Sequence, residues 1–260
     1  MRTVIAVGNQ KGGVGKTSTV VSLGAACVER GLEVLAIDLD PQANLSLALG
    51  LKAPQLRRGV ADVLLGNAGV VSVSRETPIA GLDVLPANPE MHLVEKFLTV
   101  RQNYEVALRQ ALAANLPYEL VLLDCPPSVG AIPYMALTAA DMLIIPTQCE
   151  YFATHGLGEV LELVSRVRAK TNPTLSYRLL VTMYDARNRV HRSILDHLRD
   201  ALGGAVLETV VEMDPKLRES QVFTQAVTGY APNSRAAQQY RALAEELKVY
   251  VQREPTQQPA

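Results

Sequence analysis

Gly8-Asn9-Gln10-Lys11-Gly12-Gly13-Val14-Gly15-Lys16-Thr17 is the stretch on which the fold turns. It follows a short β-branched run, Val4–Val7, and opens directly into a helical pattern over Thr17–Arg30. Strand, glycine loop and helix in that order are the context in which backbone amides can surround an anion. Gly12, Gly13 and Gly15 let the chain bend and turn its N–H groups inward, where side chains would obstruct. The helix adds the positive end of its dipole. Lys16 is placed to reach the β- and γ-phosphates of a nucleoside triphosphate and Thr17 to offer a hydroxyl to Mg²⁺, with Val14 and Ser18 completing the cradle.

Outward from this loop, short apolar runs alternate with longer helical patterns. Strands are expected at Val4–Val7, Val34–Ile37, Leu82–Leu85, Leu120–Leu123, Met142–Ile145, Leu179–Thr182 and Val206–Val211. Helical periodicity occupies Thr17–Arg30, Tyr104–Asn115, Gly156–Lys170, Val190–Leu202 and Ala236–Val251. The alternation predicts an α/β fold, a doubly wound and mostly parallel sheet with helices on both faces. No linker-like stretch or repeat interrupts the rhythm, so residues 1–250 read as a single P-loop domain. Residues 251–260, with two prolines and three glutamines, read as a flexible tail.

The composition narrows the function further. The 260 residues are 48% hydrophobic and 20% charged with a formal net charge of −1, so any basic surface must be local. Tryptophan is absent and aromatics are only 5%, which argues against a base-stacking platform for single strands. Cys27, Cys125 and Cys149 lie far apart, without pairing or metal-ligand spacing, and read as small buried hydrophobes in a reducing compartment. The N-terminus offers too short an apolar stretch for a signal peptide, and no run of about 18 apolar residues exists, so the expectation is a cytoplasmic protein.

A Mg²⁺-triphosphate site also needs carboxylates, because the cation takes oxygen ligands and the attacking water must be oriented. Two strand ends supply them. Leu35-Ala-Ile-Asp38-Leu-Asp40-Pro41-Gln42 places Asp38 and Asp40 on one side of an extended chain. Leu120-Val-Leu-Leu-Asp124-Cys125-Pro126-Pro127 ends an apolar strand in a single acid. The prolines fix the backbone just beyond both acids.

The common phosphate loop has glycine where this chain has Gln10, followed by an extra lysine, Lys11. The string therefore resembles the deviant loop K-G-G-x-x-K-[ST] of the ParA/MinD family of partitioning and positioning ATPases. The similarity covers nearly the whole chain: D-x-D-P-Q at Asp38–Gln42, h-h-h-h-D-x-P-P ending at Pro127, Ile145-Pro146-Thr147-Gln148, Leu180–Asp185 and Asn233–Ala237. The resemblance implies an ATP- and Mg²⁺-dependent ATPase with weak basal turnover that forms a homodimer when ATP is bound. Lys11 would act across that dimer, Asp40 would hold the hydrolytic water, and Asp38 and Asp124 would serve Mg²⁺ beside Thr17. Adenine is expected near Met183 and Pro215.

For partners, the resemblance implies non-specific double-stranded DNA, a nucleoid-associated location and a ParB-like adaptor that stimulates hydrolysis. Between Ser165 and Arg199, eight basic residues face only two acids, Asp185 and Asp196, and phosphate contacts need such a local excess. Arg187, Arg189 and Arg192 in that run, with Lys216 and Arg218 beyond it, are the expected DNA contacts. Met213 stands where the family's P-R-N-x-R-L stretch carries its first arginine, a departure at a usual DNA contact. The alternatives are a positioning ATPase for another cargo, membrane-linked or acting on a protein complex, a reductase with an iron–sulfur cluster, and a metabolic enzyme of the same fold. Glu245 and Glu246 interrupt the basic face that a membrane helix would need, and no cysteines stand at cluster positions. No membrane partner is therefore expected.

Overall fold

A computed structural model describes residues 2–52, 55–150 and 153–251. Eight strands form one sheet: β1 Thr3–Val7, β2 Val34–Asp38, β3 Arg75–Glu76, β4 Leu82–Leu85, β5 Leu120–Asp124, β6 Met142–Gln148, β7 Ser176–Tyr184 and β8 Val206–Glu212. Their order is β3-β4-β2-β5-β1-β6-β7-β8. Every neighbouring pair is parallel except β3 with β4. β1 therefore lies inside the sheet, in register with Leu120–Asp124 of β5 on one side and Met142–Ile144 of β6 on the other.

Alternation along the central strand separates two cores. Val4 and Ala6 face one layer with Leu35, Ile37, Val121 and Leu123. Ile5 and Val7 face the other with Val34, Ala36, Leu120 and Leu122. The first layer is covered by α3 Val60–Leu64, α5 Met91–Val100, α6 Ala107–Leu112, α7 Ala131–Ala139, α8 Ala153–Lys170 and α9 Arg189–Leu202. The second is covered by α1 Lys16–Val28, α2 Asn44–Ala48, α11 Val227–Tyr230 and α12 Arg235–Val251. Because both faces are covered, the strands have continuous apolar character instead of alternating polar positions. Two further short helices complete the chain, α4 Val70–Val73 and α10 Pro215–Val222.

Each expected strand exists, most running one to three residues longer than the apolar core that marks it. The two-residue β3 has no apolar signature, since both residues are exposed. The helix expected over Tyr104–Asn115 begins as a 3₁₀ turn, Tyr104–Val106, and ends at Leu112, a common tightening at a helix start. Val251 closes α12, and the tail expected beyond it lies outside the described residues.

Behind β4, the turn into α3 is close-packed. Val60 N–H donates to the Pro86 carbonyl at 2.8 Å, and Gly59 N–H to the Asp62 carboxylate at 3.0 Å. A Cβ at Gly59 would lie 2.6 Å from the Pro86 carbonyl oxygen and 2.7 Å from Asn88. Gly59→Ala is therefore expected to lower stability by about 1–3 kcal/mol, read as a lower urea midpoint; an unchanged midpoint would refute this packing.

Candidate nucleotide-binding site

The chain leaves β1 toward β2 on one side and, after β5, crosses over to build β6–β8 on the other. Ligands of open α/β sheets sit beyond the carboxyl ends of strands at such a switch point. The glycine loop emerges there. Gly13 and Gly15 adopt φ of 74° and 88°, a left-handed backbone that a side chain would strain. Gly15 is also the N-cap of α1, so the loop delivers Lys16, Thr17 and Ser18 to the first turn of that helix.

Neighbours from the adjoining strands hold the loop. Asn9 donates to the Pro146 carbonyl at 2.7 Å and accepts from Lys11 N–H at 3.1 Å. Thr182 Oγ1 donates to the Val14 carbonyl at 2.9 Å, and Gln148 Nε2 to the Gly13 carbonyl at 3.3 Å. Gln148 Nε2 also lies 2.7 Å from Met183 Sδ. The sequence marks Asn9, Thr182 and Gln148 only as members of family-like stretches; their task is visible only once β6 and β7 lie beside the loop.

Two of the three acids converge beneath the cradle. Asp124 ends β5 beside β1, and its Oδ2 accepts a hydrogen bond from Thr17 Oγ1 at 2.7 Å. Its Oδ1 is buried without a partner. Burial pushes the Asp124 carboxyl well above its usual range, Asp38 adds to the rise, and the Thr17 hydrogen bond opposes it. Lys16, only 8% exposed, is shifted down by burial against the opposing pull of Asp124 and Asp40, and donates to the Lys11 carbonyl at 3.0 Å. Asp40 lines the cleft, and its Oδ1 accepts Gln42 N–H at 2.9 Å.

Asp38 stands differently. It is fully buried, with Oδ2 accepting Ser46 N–H at 2.8 Å and Ser46 Oγ at 2.7 Å, while Oδ1 accepts Asp40 N–H at 3.2 Å. Burial pushes its carboxyl up to about 6. Both oxygens are thus occupied with fixing the loop that carries Asp40 and the helix α2 behind it. Among the described residues, no three His, Cys, Asp or Glu gather to hold a metal by themselves. A hydroxyl, an unpartnered buried carboxylate oxygen and room for phosphate oxygens and water suit Mg²⁺, a hard cation that keeps part of its water shell.

The cleft above the loop holds about 1130 Å³ and is lined by Gly12, Gly13, Gly15–Ser18, Asp40, Met183 and Pro215, among others. Met183 has φ of 52°, a left-handed conformation for a non-glycine residue, at the point where β7 turns into the cleft. Lys11 is absent from the cleft lining; its Nζ instead pairs with Glu150 at 2.5 Å and donates to Gln148 Oε1 at 3.1 Å.

The basic run between Ser165 and Arg199 does not form one patch. Arg166, Arg168 and Lys170 close α8 near the start of β7, and Arg199 pairs with Glu208 near the start of β8 at 3.5 Å. Arg187, Arg189 and Arg192 lie beyond the end of β7, at the same sheet edge as the glycine loop, with Lys216 and Arg218 beyond β8. All five are exposed. Arg187 grips Asp185 at 3.1 and 3.2 Å, and Lys216 pairs with Glu219 at 2.7 Å. Parallel strands separate the two groups because the connections out of α8 and out of β7 lie at opposite ends of the sheet.

A mostly parallel sheet, a glycine cradle on a helix N-terminus, a lysine–threonine pair in its first turn and a buried strand-end acid define the class: a P-loop ATPase using ATP and Mg²⁺. The AAA domain family AAA_31 matches residues 2–177. The chain is 40% identical over 248 residues to the chromosome partitioning protein ParA of Caulobacter vibrioides, covering 94% of this chain and 93% of the relative. It is 37% identical to the sporulation initiation inhibitor protein Soj of Bacillus subtilis, covering 95% and 98%. A crystal structure of cobyrinic acid a,c-diamide synthase from Mycobacterium smegmatis with ADP and magnesium superposes with a TM-score of 0.86 at 36% identity, covering all of both chains. The chain belongs to the ParA/Soj family of deviant P-loop ATPases.

The Asp124 carboxylate should cost stability until a cation answers it. Because its folded pKa is raised, the nucleotide-free fold binds a proton that the unfolded chain releases, so stability falls as pH rises above 3.8. Asp124→Asn is expected to gain about 1 kcal/mol in urea unfolding at pH 8 without nucleotide, with a smaller gain at pH 5. It should lose the extra stabilisation that Mg²⁺ adds to bound ATP. A destabilised, still Mg²⁺-responsive variant would contradict this assignment.

Proposed function

We propose that this chain is a partitioning or positioning ATPase whose ATP-bound homodimer binds double-stranded DNA without sequence preference and is released by adaptor-stimulated hydrolysis. The observation that carries the reading is Lys11, which leaves its own cradle and presents its ammonium at the rim of the switch-point edge. From there it can serve a nucleotide held by a second copy. The names of the relatives ParA and Soj support the same direction. The location implied is the nucleoid of the cytoplasm, and no helix among the described residues is long and apolar enough to cross a membrane.

Chemistry at the site is positioning and charge neutralisation. Backbone amides of Gly12–Thr17 and the Lys16 ammonium take the phosphate oxygens, while Lys11 of a second copy adds charge from across the interface. Asp40, held by Gln42 N–H and by the Asp38-anchored turn, orients the attacking water. Mg²⁺, held by Thr17 and Asp124, would neutralise charge on the phosphates. Basal turnover is weak because one subunit alone lacks the second lysine.

DNA would meet the edge formed by Arg187, Arg189, Arg192, Lys216 and Arg218, which neighbours the nucleotide cleft, while Met213 is exposed between them in place of a cation. A ParB-like adaptor would act at the same edge. A second reading, an ATP-dependent amide-forming enzyme, is favoured by the likeness to the Mycobacterium smegmatis structure. Such an enzyme needs an acceptor pocket beside the γ-phosphate, and its hydrolysis should rise with a carboxylate acceptor and ammonia.

Asp40→Ala is expected to bind ATP and dimerise while hydrolysing at least about a hundredfold more slowly. On random-sequence duplex DNA it should give a gel shift with ATP, none with ADP, and steep weakening between 50 and 200 mM salt, values set by counterion release. Absence of any shift by a well-formed dimer would overturn the DNA reading. In that background, changing Arg189 and Arg192 to Glu should weaken the shift and spare the dimer, measured by light scattering; an unaltered shift would move the contact elsewhere.

A further inference from the structure

The helix α10 is set unlike the rest of the fold. It starts from Asp214, whose Oδ1 accepts Lys216 N–H at 2.9 Å and whose Oδ2 accepts Ala236 N–H at 3.0 Å, tying this end to α12. Pro215 begins the first turn. Beyond that anchor, Ser220 is its only buried residue, while Val222 and the following Phe223 are 79% and 58% exposed. Two residues past the end of the helix stands Thr224, a non-glycine residue with φ of 52°. An element with so little buried apolar surface opens at low cost.

Residues of α10 nevertheless line the nucleotide cleft, together with Leu47 and Ala48 of α2. At its end Gln221 donates through Nε2 to Ser18 Oγ in the first turn of α1. Gln221 Oε1 has no partner among the described residues, so the amide keeps an acceptor as well as a second N–H proton. Ser18 follows Thr17 in the first turn of α1 and lines the cleft. A nucleotide in the cradle brings its α-phosphate and ribose toward this turn, since the β- and γ-phosphates are taken up by Lys16 and Thr17.

We propose that Gln221 is a further nucleotide-positioning residue, which grips the α-phosphate–ribose end of the nucleotide together with Ser18 and draws α10 over the filled cleft. The primary amide exchanges its bond to the Ser18 hydroxyl for bonds to the ligand, donating to a phosphate oxygen or accepting from a ribose hydroxyl. Closure pivots about the Asp214 anchor and is resisted only by the half-buried Leu217 and by the contacts of Glu219 and Phe223 with Tyr230. The inference rests on the ATPase assignment and is independent of DNA binding.

The chain has no tryptophan, so a single one reports on its surroundings without background. Phe223→Trp, beside Gln221 and stacked on Tyr230 with ring centroids 5.5 Å apart, places that reporter at the moving end. Its emission should change on addition of Mg²⁺ with ATP, and equally with ADP, since both carry the grip's target. Adding Gln221→Ala should abolish most of the change and raise the dissociation constants of ATP and ADP by the same factor, roughly threefold to tenfold. The melting temperature without nucleotide should stay within about 1 °C, because Gln221 is exposed. An emission that ignores nucleotide, affinities unaltered by Gln221→Ala, or a loss confined to ATP would each overturn the proposal. Loss of nucleotide binding in the Phe223→Trp parent would instead count against the cleft assignment itself, and Val222→Trp repeats the measurement one residue away.

Discussion

Asp124 is the constraint around which the site is organised. A carboxylate at the end of an interior strand, with one oxygen on Thr17 and the other unpartnered, is costly in a fold without a compensating cation. Its neighbours share that tension: Lys16 is depressed by burial and Asp38 is raised by it. Lys16 offsets part of this cost, but the two carboxylates repel each other and burial disfavours the charged form of all three groups. They are held together because β1, β2 and β5 are locked in register, with Val7 and Asp38 both opposite Asp124. The covered apolar faces of the sheet supply the stability against which this strain is set.

The same register assigns labour to the two ends of the sheet. Parallel strands deliver all their carboxyl ends to one edge, so the glycine loop, Asp40, Asp124, Met183 and Pro215 meet without any of them being near in sequence. The opposite edge holds connections such as Arg2, which donates to the Tyr118 carbonyl at 3.3 Å and to other carbonyls around the end of α6. Charge is partitioned in the same way. The arginines that close α8 serve local carbonyls and rings, as Arg168 does with Leu175 and Tyr177. Those after β7 stand at the end of the sheet where the nucleotide cleft opens.

This explains what was legible in the sequence. The phosphate loop and the strand-end acids announce themselves because their chemistry demands particular residues at fixed spacing, and both lie on uninterrupted strands. The sheet was readable because buried parallel strands are continuous apolar runs. Short helices such as α2 and α11 are too brief for periodicity to register. Gln148 and Gln221 act through neighbours more than 100 residues away, and an amide does not declare its partner in advance. The basic run misled for a related reason: contiguity in sequence passes along a strand from one edge of the molecule to the other. For Asp38, spacing alone placed it beside Asp40, whereas only the structure places Ser46 against it.

The setting of Lys11 bears on how a two-copy site can be built without damaging the single copy. Its amide is fixed by Asn9, so the backbone belongs to the cradle, while its long side chain leaves for the end of β6. The ion pair with Glu150 is exposed, 39% and 55% at the two side chains. Such a pair is worth little and exchanges readily, about 0–1 kcal/mol in water. A triphosphate in a second copy offers several charged oxygens in a site from which water is being expelled, where the same ammonium interacts more strongly. In the dimer we propose, Lys11 would lose little by leaving Glu150 and would gain only where a nucleotide-loaded partner is present. An interior position would have made that lysine costly to mobilise, and a free one would have made it costly to order; the rim position avoids both.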